Sequence, residues 1–164
     1  MAWWRHLLAL ALPVTVTLVV PALIVDTGSI GWGVSWPLAA VPVLIGAALV
    51  GAGLILVGWT ISLFVRTGRG TLAPWHPTRR LVLRGPYRHV RNPMISGVAA
   101  ILLGEAVLLA SAVLLAWFGV FATVNAVYIP LVEEPGLVRR FGDEYRTYAT
   151  NVRRWIPRLR SWGG

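Results

Sequence analysis

The sequence predicts an all-α polytopic membrane protein with about four transmembrane helices, including a C-terminal helical hairpin, and a cytoplasmic interfacial helix. Composition is the first observation behind this prediction: of 164 residues, 57% are hydrophobic and 13% are charged, and the mean hydropathy is +0.70. A water-soluble domain of this size needs more polar surface. The lengths of the apolar runs and the one-sided placement of the arginines are the other two observations. We treat residues 1–164 as a single integral membrane domain.

Two apolar runs in the N-terminal part, residues 1–65, are long enough to cross a bilayer, whose hydrocarbon core needs roughly 20 apolar residues per helix. The runs comprise residues 7–25 and 37–65. A cleaved signal peptide is an alternative for the first run, since Arg5 precedes it and Val20-Pro21-Ala22 resembles a cleavage site. The run is longer than the apolar region of a typical signal peptide, which favours a membrane span.

The apolar stretch 94–131 predicts a hairpin of two helices. It is too long for a single crossing, and it contains the polar residues Glu105 and Ser111. We place the helices at about 94–110 and 112–131, with Glu105 close to the outer end of the first. Two helices joined in this way satisfy their backbone hydrogen bonds inside the bilayer.

All fifteen basic residues are arginines, and all of them fall on one side of the predicted membrane. One precedes the first span, seven lie in the loop 66–93, and seven lie in the tail 132–164. Because basic residues are retained on the cytoplasmic side, we predict that both termini, the loop and the tail face the cytoplasm. A chain that uses arginine without lysine and is rich in alanine, glycine and valine is typical of bacteria, so we expect the bacterial cytoplasmic (inner) membrane.

Composition also argues against several functional classes. Without cysteine the chain forms neither disulfides nor cysteine metal sites, and three scattered histidines do not predict a zinc site, so no metal is expected. The net charge of +9 is explained by topology and no groove-reading element is visible, so nucleic acid is not an expected partner. The sequence leaves the oligomeric state open.

A dense run of arginines, an imidazole, an amide and two prolines occupies residues 85–94, at the start of the third predicted helix. Such a basic, conformationally restricted segment at the mouth of a membrane helix suits the recognition of a charged small molecule. A simpler interpretation holds for Asn92, which stands before a proline and is predicted to cap the helix. The residues of interest are Tyr87, His89, Arg91, Asn92 and Pro93.

Two adjacent carboxylates, Glu133 and Glu134, follow the last apolar stretch. Carboxylates at the end of a span are costly unless cations compensate them. The arginine loop supplies such cations if the hairpin places Pro93 beside Glu133, so we predict a charged cup at the membrane surface. After the pair, apolar residues that include Tyr145 recur at helical spacing and predict an interfacial helix over about 136–150.

The order and spacing of these motifs resemble the membrane-embedded isoprenylcysteine carboxyl methyltransferases and the related phospholipid methyltransferases. The resemblance covers about half of the chain, from roughly residue 81 to residue 157. The chain departs from the pattern at Asn92, Ile95 and Asn151, which affects the choice of acceptor more than cofactor binding. The matching elements are Arg91-Asn92-Pro93 with Gly97, Glu133-Glu134, Phe141-Gly142 with Tyr145 and Tyr148, and Ile156-Pro157.

The resemblance implies an enzyme that binds S-adenosyl-L-methionine and transfers its methyl group to an acceptor in the membrane. Carboxyl O-methylation of a lipid-like or prenylated small molecule is the favoured reaction. We assign Arg153 the role of holding the anionic acceptor. The residues expected to bind the cofactor are Tyr87, His89, Arg91, Asn92, Pro93, Gly97, Glu133, Glu134 and Tyr145.

Three alternatives stay open at this point. Phospholipid amine N-methylation would use the same cofactor. A non-catalytic lipid-binding or scaffold protein of the membrane would need neither the Arg91-Asn92-Pro93 motif nor the Glu133-Glu134 pair. A membrane reductase would be expected to have more residues and more spans for its larger nicotinamide dinucleotide.

Overall fold

The computed structural model describes residues 14–27, 31, 37–67, 81 and 83–163, and within these residues the chain forms helices and turns without any strand. The all-α prediction is therefore confirmed for the described residues. Single wider or tighter turns also occur: two π-helical turns, Thr15–Val19 and Ile129–Glu133, and a 3₁₀ turn, Gly85–Arg88. The α-helices are α1 (Val20–Thr27), α2 (Ala40–Thr67), α3 (Pro93–Leu108), α4 (Ala112–Tyr128), α5 (Glu134–Phe141) and α6 (Asp143–Asn151).

Two helices among the described residues are long and apolar enough to cross a membrane, where the sequence predicted four. They are Ala40–Leu63 within α2, and Ala112–Phe141, which runs without a break through α4, the second π turn and α5. The other apolar helices, Thr15–Val25 and Pro93–Leu108, are shorter. α3 has 16 residues and is therefore about 24 Å long, less than the roughly 30 Å of a hydrocarbon core. Residues 7–13 of the first predicted span lie outside the described residues.

The predicted hairpin is present, and its turn lies at residues 109–111. Ala110 adopts a φ of +51°, and the hydroxyl of Ser111 accepts a hydrogen bond of 3.3 Å from the Leu114 N–H at the start of α4. The polar residue that interrupts the apolar stretch is thus the N-cap of the second hairpin helix. This helix continues past residue 131, because the missing N–H of Pro130 is accommodated in the wider π turn.

α2 and α3 pack backbone against backbone along four glycines, Gly46, Gly53, Gly97 and Gly104, which we call the glycine seam. A Cβ atom on Gly53 would lie 2.6 Å from both the Gly97 carbonyl oxygen and the Ile101 side chain. A Cβ atom on Gly104 would lie 2.8 Å from the Gly46 carbonyl oxygen. Small residues that allow such a close approach are a common means of helix association in membranes. The glycine seam therefore fixes α3, and with it the turn that precedes α3.

Beyond Glu134 the chain folds into a small aromatic cluster. Tyr145, Tyr148 and Val152 are buried, and apolar side chains from before the 3₁₀ turn, from α5 and from after α6 pack around them. The predicted single interfacial helix over 136–150 is wrong in two respects. Gly142, whose φ of +55° suits glycine, separates α5 from α6, and the apolar face of these helices packs inside the protein.

Candidate functional site

The carboxylate of Glu134 lies between two arginines at the open end of the hairpin, opposite the 109–111 turn. Arg154 donates two hydrogen bonds of 2.7 Å to this carboxylate, from Nε and Nη2, and Nη1 of Arg91 lies 3.0 Å from Oε1. The exposed fractions of the side chains are 15% for Glu134, 12% for Arg91 and 32% for Arg154. Bidentate arginine–carboxylate pairs are among the stronger hydrogen-bonded contacts in proteins. We call these three residues the Glu134 cluster.

Three separate parts of the chain supply the Glu134 cluster. Glu134 begins α5 directly after the second π turn, Arg91 precedes α3, and Arg154 follows α6. The Arg91 N–H also donates a hydrogen bond of 2.9 Å to the Arg153 carbonyl oxygen, which holds the segment after α6 beside the start of α3. The predicted juxtaposition of the arginine loop and the carboxylate pair is therefore present, and a π turn lies next to it, as is frequent at functional sites.

Asn92 does not cap α3 with its side chain, and that prediction is wrong. The residue occupies the N-cap position but has φ −120° and ψ 58°, outside the usual extended conformation of a cap, and makes no capping hydrogen bond. Its amide Nδ2 lies 3.5 Å from the Arg154 carbonyl oxygen. Pro93 is fully buried as the first residue of α3. Asn92 therefore faces the segment that carries the cluster arginine.

His89 is joined to the chain after α6 by two reciprocal hydrogen bonds. The Arg158 N–H donates to the His89 carbonyl at 2.9 Å, and His89 Nδ1 donates to the Arg158 carbonyl at 2.8 Å. Because a carbonyl oxygen only accepts, this contact assigns the ring proton to Nδ1. The Trp162 N–H adds a hydrogen bond of 3.0 Å to the Arg88 carbonyl. The residues after α6 are thus fastened to the 3₁₀ turn.

Three tyrosines surround the Glu134 cluster, and their hydroxyls stay protonated at neutral pH. Burial raises the pKa of Tyr145, and the charge of Glu134 adds to this effect. Burial also raises the pKa of Tyr148, whose hydroxyl donates a hydrogen bond of 2.7 Å to the Tyr87 carbonyl oxygen. Burial raises the pKa of Tyr87 as well, and the charge of Glu133 raises it further. The site therefore contains neutral aromatic donors next to charged groups.

The two adjacent carboxylates have different surroundings. Glu134 forms ion pairs with two arginines. The side chain of Glu133, by contrast, is exposed and has no ion pair within the part of the chain that the structure describes. Nε of Arg91 is a second unused group, buried and without a hydrogen-bond partner among the described residues. Within the described ranges, an acceptor and a donor without partners thus accompany the Glu134 cluster. A polar ligand could satisfy both.

An open groove of about 750 Å³ borders the Glu134 cluster on the side of α5 and α6. Its volume is in the range of small-molecule sites, and its surface is mainly apolar, with charged side chains among the lining. Pro130, in the second π turn of the long helix Ala112–Phe141, lines the groove together with charged side chains, so the groove adjoins both the apolar part of the helix and the charged residues. The lining residues are Pro130, Glu134, Pro135, Val138, Arg139, Tyr145, Arg146, Ala149 and Thr150.

Two predicted site residues lie apart from the cluster. Gly97 is buried in the glycine seam, where close packing against α2 accounts for it. Arg153 gives its backbone carbonyl to Arg91, but its exposed side chain lines a separate surface depression together with Arg158 and Leu159. The structure brings the other predicted residues to the open end of the hairpin: Tyr87, His89, Arg91, Asn92, Pro93, Glu133, Glu134 and Tyr145.

Arg154 is the residue of the cluster that sequence reasoning missed. It stands directly after Arg153, and charge alone does not distinguish the two neighbours. The segment after α6 also has no helical or strand periodicity that would tell which side chain turns inward. The only available signal was the need of Glu134 for a counter-charge.

Long apolar helices next to a partly buried cluster of two arginines and one carboxylate are typical of a membrane protein. The chain matches a model of the phospholipid methyltransferase family over residues 41–144, which is more than half of its length, and it belongs to this family. The predicted family is confirmed. The family and the apolar helices together indicate a membrane-associated methyltransferase, and such enzymes typically use S-adenosyl-L-methionine.

The matched region extends from α2 to the first residues of α6. It includes Arg91 and both carboxylates, whereas Arg153 and Arg154 lie beyond it. No match was found among curated proteins or solved structures.

Proposed function

We propose that this protein transfers the methyl group of S-adenosyl-L-methionine to an amphiphilic acceptor embedded in the membrane, and that the favoured reaction is carboxyl O-methylation of an isoprenoid or lipid-like acid. One observation carries the proposal: at the open end of the hairpin, the carboxylate of Glu133 and Nε of Arg91 have no partner among the described residues of the chain. The family supplies the reaction class. The charge and hydrogen-bonding capacity of Glu133 and Arg91 support the open end of the hairpin as the location of the cofactor site.

The residues present fit the polar parts of the cofactor. Nε of Arg91 can donate to the cofactor carboxylate, and Glu133 can accept from its ribose hydroxyls or ammonium. The protonated hydroxyls and aromatic faces of Tyr87 and Tyr145 complement an adenine ring and a cation. When bound, S-adenosyl-L-methionine supplies an electrophilic methyl group on a sulfonium. The Glu134 cluster holds Arg91 in place for this contact.

The proposed membrane arrangement has four spans, with both termini and the cluster on the cytoplasmic side of a bacterial inner membrane. The one-sided arginines support this topology. α3 is proposed to cross despite its length, because a short apolar helix is accommodated by local thinning of the bilayer at modest cost. The cofactor then arrives from water, and the apolar acceptor arrives from the lipid.

The acceptor proposal rests on charge. In the transfer, the acceptor oxygen forms a bond to the methyl carbon while the methyl–sulfur bond breaks and its electron pair stays on sulfur. A carboxylate acceptor carries no proton that must be removed. The enzyme can therefore accelerate the transfer mainly by holding the acceptor and the methyl group in the reactive geometry. The apolar groove lined by Pro130 offers a route from the bilayer, and the exposed Arg139 in its lining is proposed to hold this carboxylate, because Arg153 lines a separate depression.

Phospholipid amine N-methylation is the second candidate, and the description of the matching family favours it. An amine acceptor must lose a proton before it attacks, and the concentration of arginines near the site disfavours a cationic headgroup. The two products differ in a simple property. A methyl ester is cleaved by mild base, whereas an N-methyl group is not.

Replacing Glu133 by glutamine is expected to weaken the binding of S-adenosyl-L-methionine by about 10- to 100-fold, because a hydrogen bond to a charged group is worth about 1.5–3 kcal/mol. The matched control is Glu105→Gln, in the last turn of α3 at the other end of the hairpin, which should leave the dissociation constant unchanged. Equilibrium binding with the purified full chain measures both. Equal losses for the two variants would show that the carboxylate of Glu133 does not bind the cofactor.

A further inference from the structure

Three apolar side chains after α6 are exposed together. Trp155 is 37% exposed, Ile156 63% and Leu159 102%, so the described part of the chain leaves them uncovered. Two arginines, Arg153 and Arg160, lie beside them and are also exposed, without an ion pair among the described residues. We call these five residues the tail tip. A mixed apolar and basic surface of this kind is typical of segments that lie in a membrane interface.

The tail tip is held in a fixed position. Arg158, which lies between Ile156 and Leu159, is joined to His89 by hydrogen bonds of 2.8 and 2.9 Å, and the bond from Trp162 to Arg88, at 3.0 Å, follows the tail tip. Exposure of the three apolar side chains is therefore a property of an ordered segment with backbone partners. An ordered apolar surface of this kind indicates a binding surface.

The depth of the tail tip follows from α3. The helix has 16 residues and a length of about 24 Å, less than the roughly 30 Å of a hydrocarbon core, so neither end extends far beyond the lipid headgroups. The 3₁₀ turn and His89 lie just before this helix, and the tail tip is held beside them by Arg158 and Trp162, which bond to His89 and Arg88. It therefore shares the depth of the headgroup region. Tryptophan is enriched at this level of a bilayer.

We propose that the tail tip inserts Trp155, Ile156 and Leu159 into the headgroup region of the surrounding bilayer, with Arg153 and Arg160 bound to anionic phospholipid headgroups. The charge complementarity between arginine and anionic lipid selects this partner. Arg154 lies between Arg153 and Trp155, so lipid contact on both sides fixes the arginine that binds Glu134. The inference rests on the membrane arrangement proposed above and does not depend on the identity of the methyl acceptor.

Single spin labels test the proposal, because the chain contains no cysteine that would compete for labelling. Labels on Leu159→Cys, Thr147→Cys and Ile55→Cys are compared in lipid nanodiscs of the full chain, with oxygen as the lipid-soluble relaxant and a nickel chelate as the water-soluble one. All three positions are exposed on the protein surface, so labelling does not disturb packing. We expect oxygen to dominate at Leu159 and Ile55, and the nickel chelate to dominate at Thr147 on α6.

Each outcome bears on a different step. If the Ile55 label is in lipid and the Leu159 label is as water-accessible as Thr147, the insertion of the tail tip is wrong while the membrane arrangement stands. If Ile55 is also in water, the membrane arrangement fails first. Changing anionic to zwitterionic lipid should lower the oxygen-to-nickel ratio at Leu159 by about twofold or more and leave Ile55 unchanged. An unchanged ratio at Leu159 would overturn the role of anionic headgroups.

Discussion

Glu134→Ala is expected to lower the free energy of unfolding by about 3 kcal/mol, because it leaves Arg91 and Arg154 partly buried without their counter-charge. The hydrogen bonds concerned are short, at 2.7 Å from Arg154, and Arg91 is only 12% exposed. The variant should also bind the cofactor weakly, since Arg91 loses the contact that orients it. Unfolding of the purified full chain in detergent measures the stability change.

The control for this change is Asp143→Ala, which removes a pair with Arg146 that is 2.8 Å long but lies at the surface. An exposed pair of this kind contributes about 0–1 kcal/mol. A double-mutant cycle with Arg154→Ala should give a double variant that is less destabilised than the sum of the two single variants. Additive losses, or a loss at Glu134 no larger than at Asp143, would show that the cluster does not hold the open end of the hairpin together.

Gly53→Ala is expected to destabilise the protein by about 2–3 kcal/mol, because its Cβ would lie 2.6 Å from the Gly97 carbonyl oxygen and from Ile101. The helices α2 and α3 must then separate, and the turn that carries Arg91 moves with α3. Gly51→Ala is the matched control on the same helix, since a Cβ at Gly51 would meet no atom of the described residues within 4 Å. Alanine should stabilise that position by up to about 1 kcal/mol through helix propensity.

Thermal unfolding in detergent compares the two glycine variants under the same conditions. We expect Gly53→Ala to lower the midpoint temperature and Gly51→Ala to leave it unchanged or raise it. A midpoint for Gly53→Ala that is equal to or higher than that of Gly51→Ala would mean that the glycine seam is not the contact between α2 and α3. Weakened cofactor binding by Gly53→Ala alone would connect the glycine seam to the site.

The hairpin and the meeting of its two charged ends could be predicted from the sequence, because both follow from the cost of polar groups in a bilayer. Ser111 marked the turn, since a hydroxyl in a long apolar stretch is most stable as a cap. The carboxylates after the second hairpin helix required cations, and the arginine loop was the predicted source, although Arg154 of the tail contributes as well. Arg91 and Glu134 do meet, at 3.0 Å.

The choice between neighbours could not be predicted. Glu133 and Glu134 are adjacent on a helix and point in different directions, and the π turn before Glu134 changes the phase that a regular helix would have. Arg153 and Arg154 lie in an irregular segment whose conformation depends on tertiary contacts with His89 and Arg91. The break at Gly142 likewise depends on how α6 packs, which periodicity alone does not show.

Equilibrium binding of labelled S-adenosyl-L-methionine to the purified full chain decides whether the open end of the hairpin is a cofactor site. We expect saturable binding to a single class of sites, displaced by S-adenosylhomocysteine and unaffected by nicotinamide dinucleotides. A chain that remains folded but takes up no labelled cofactor, or that prefers a dinucleotide, would contradict the methyltransferase site built on Arg91, Glu133 and Glu134.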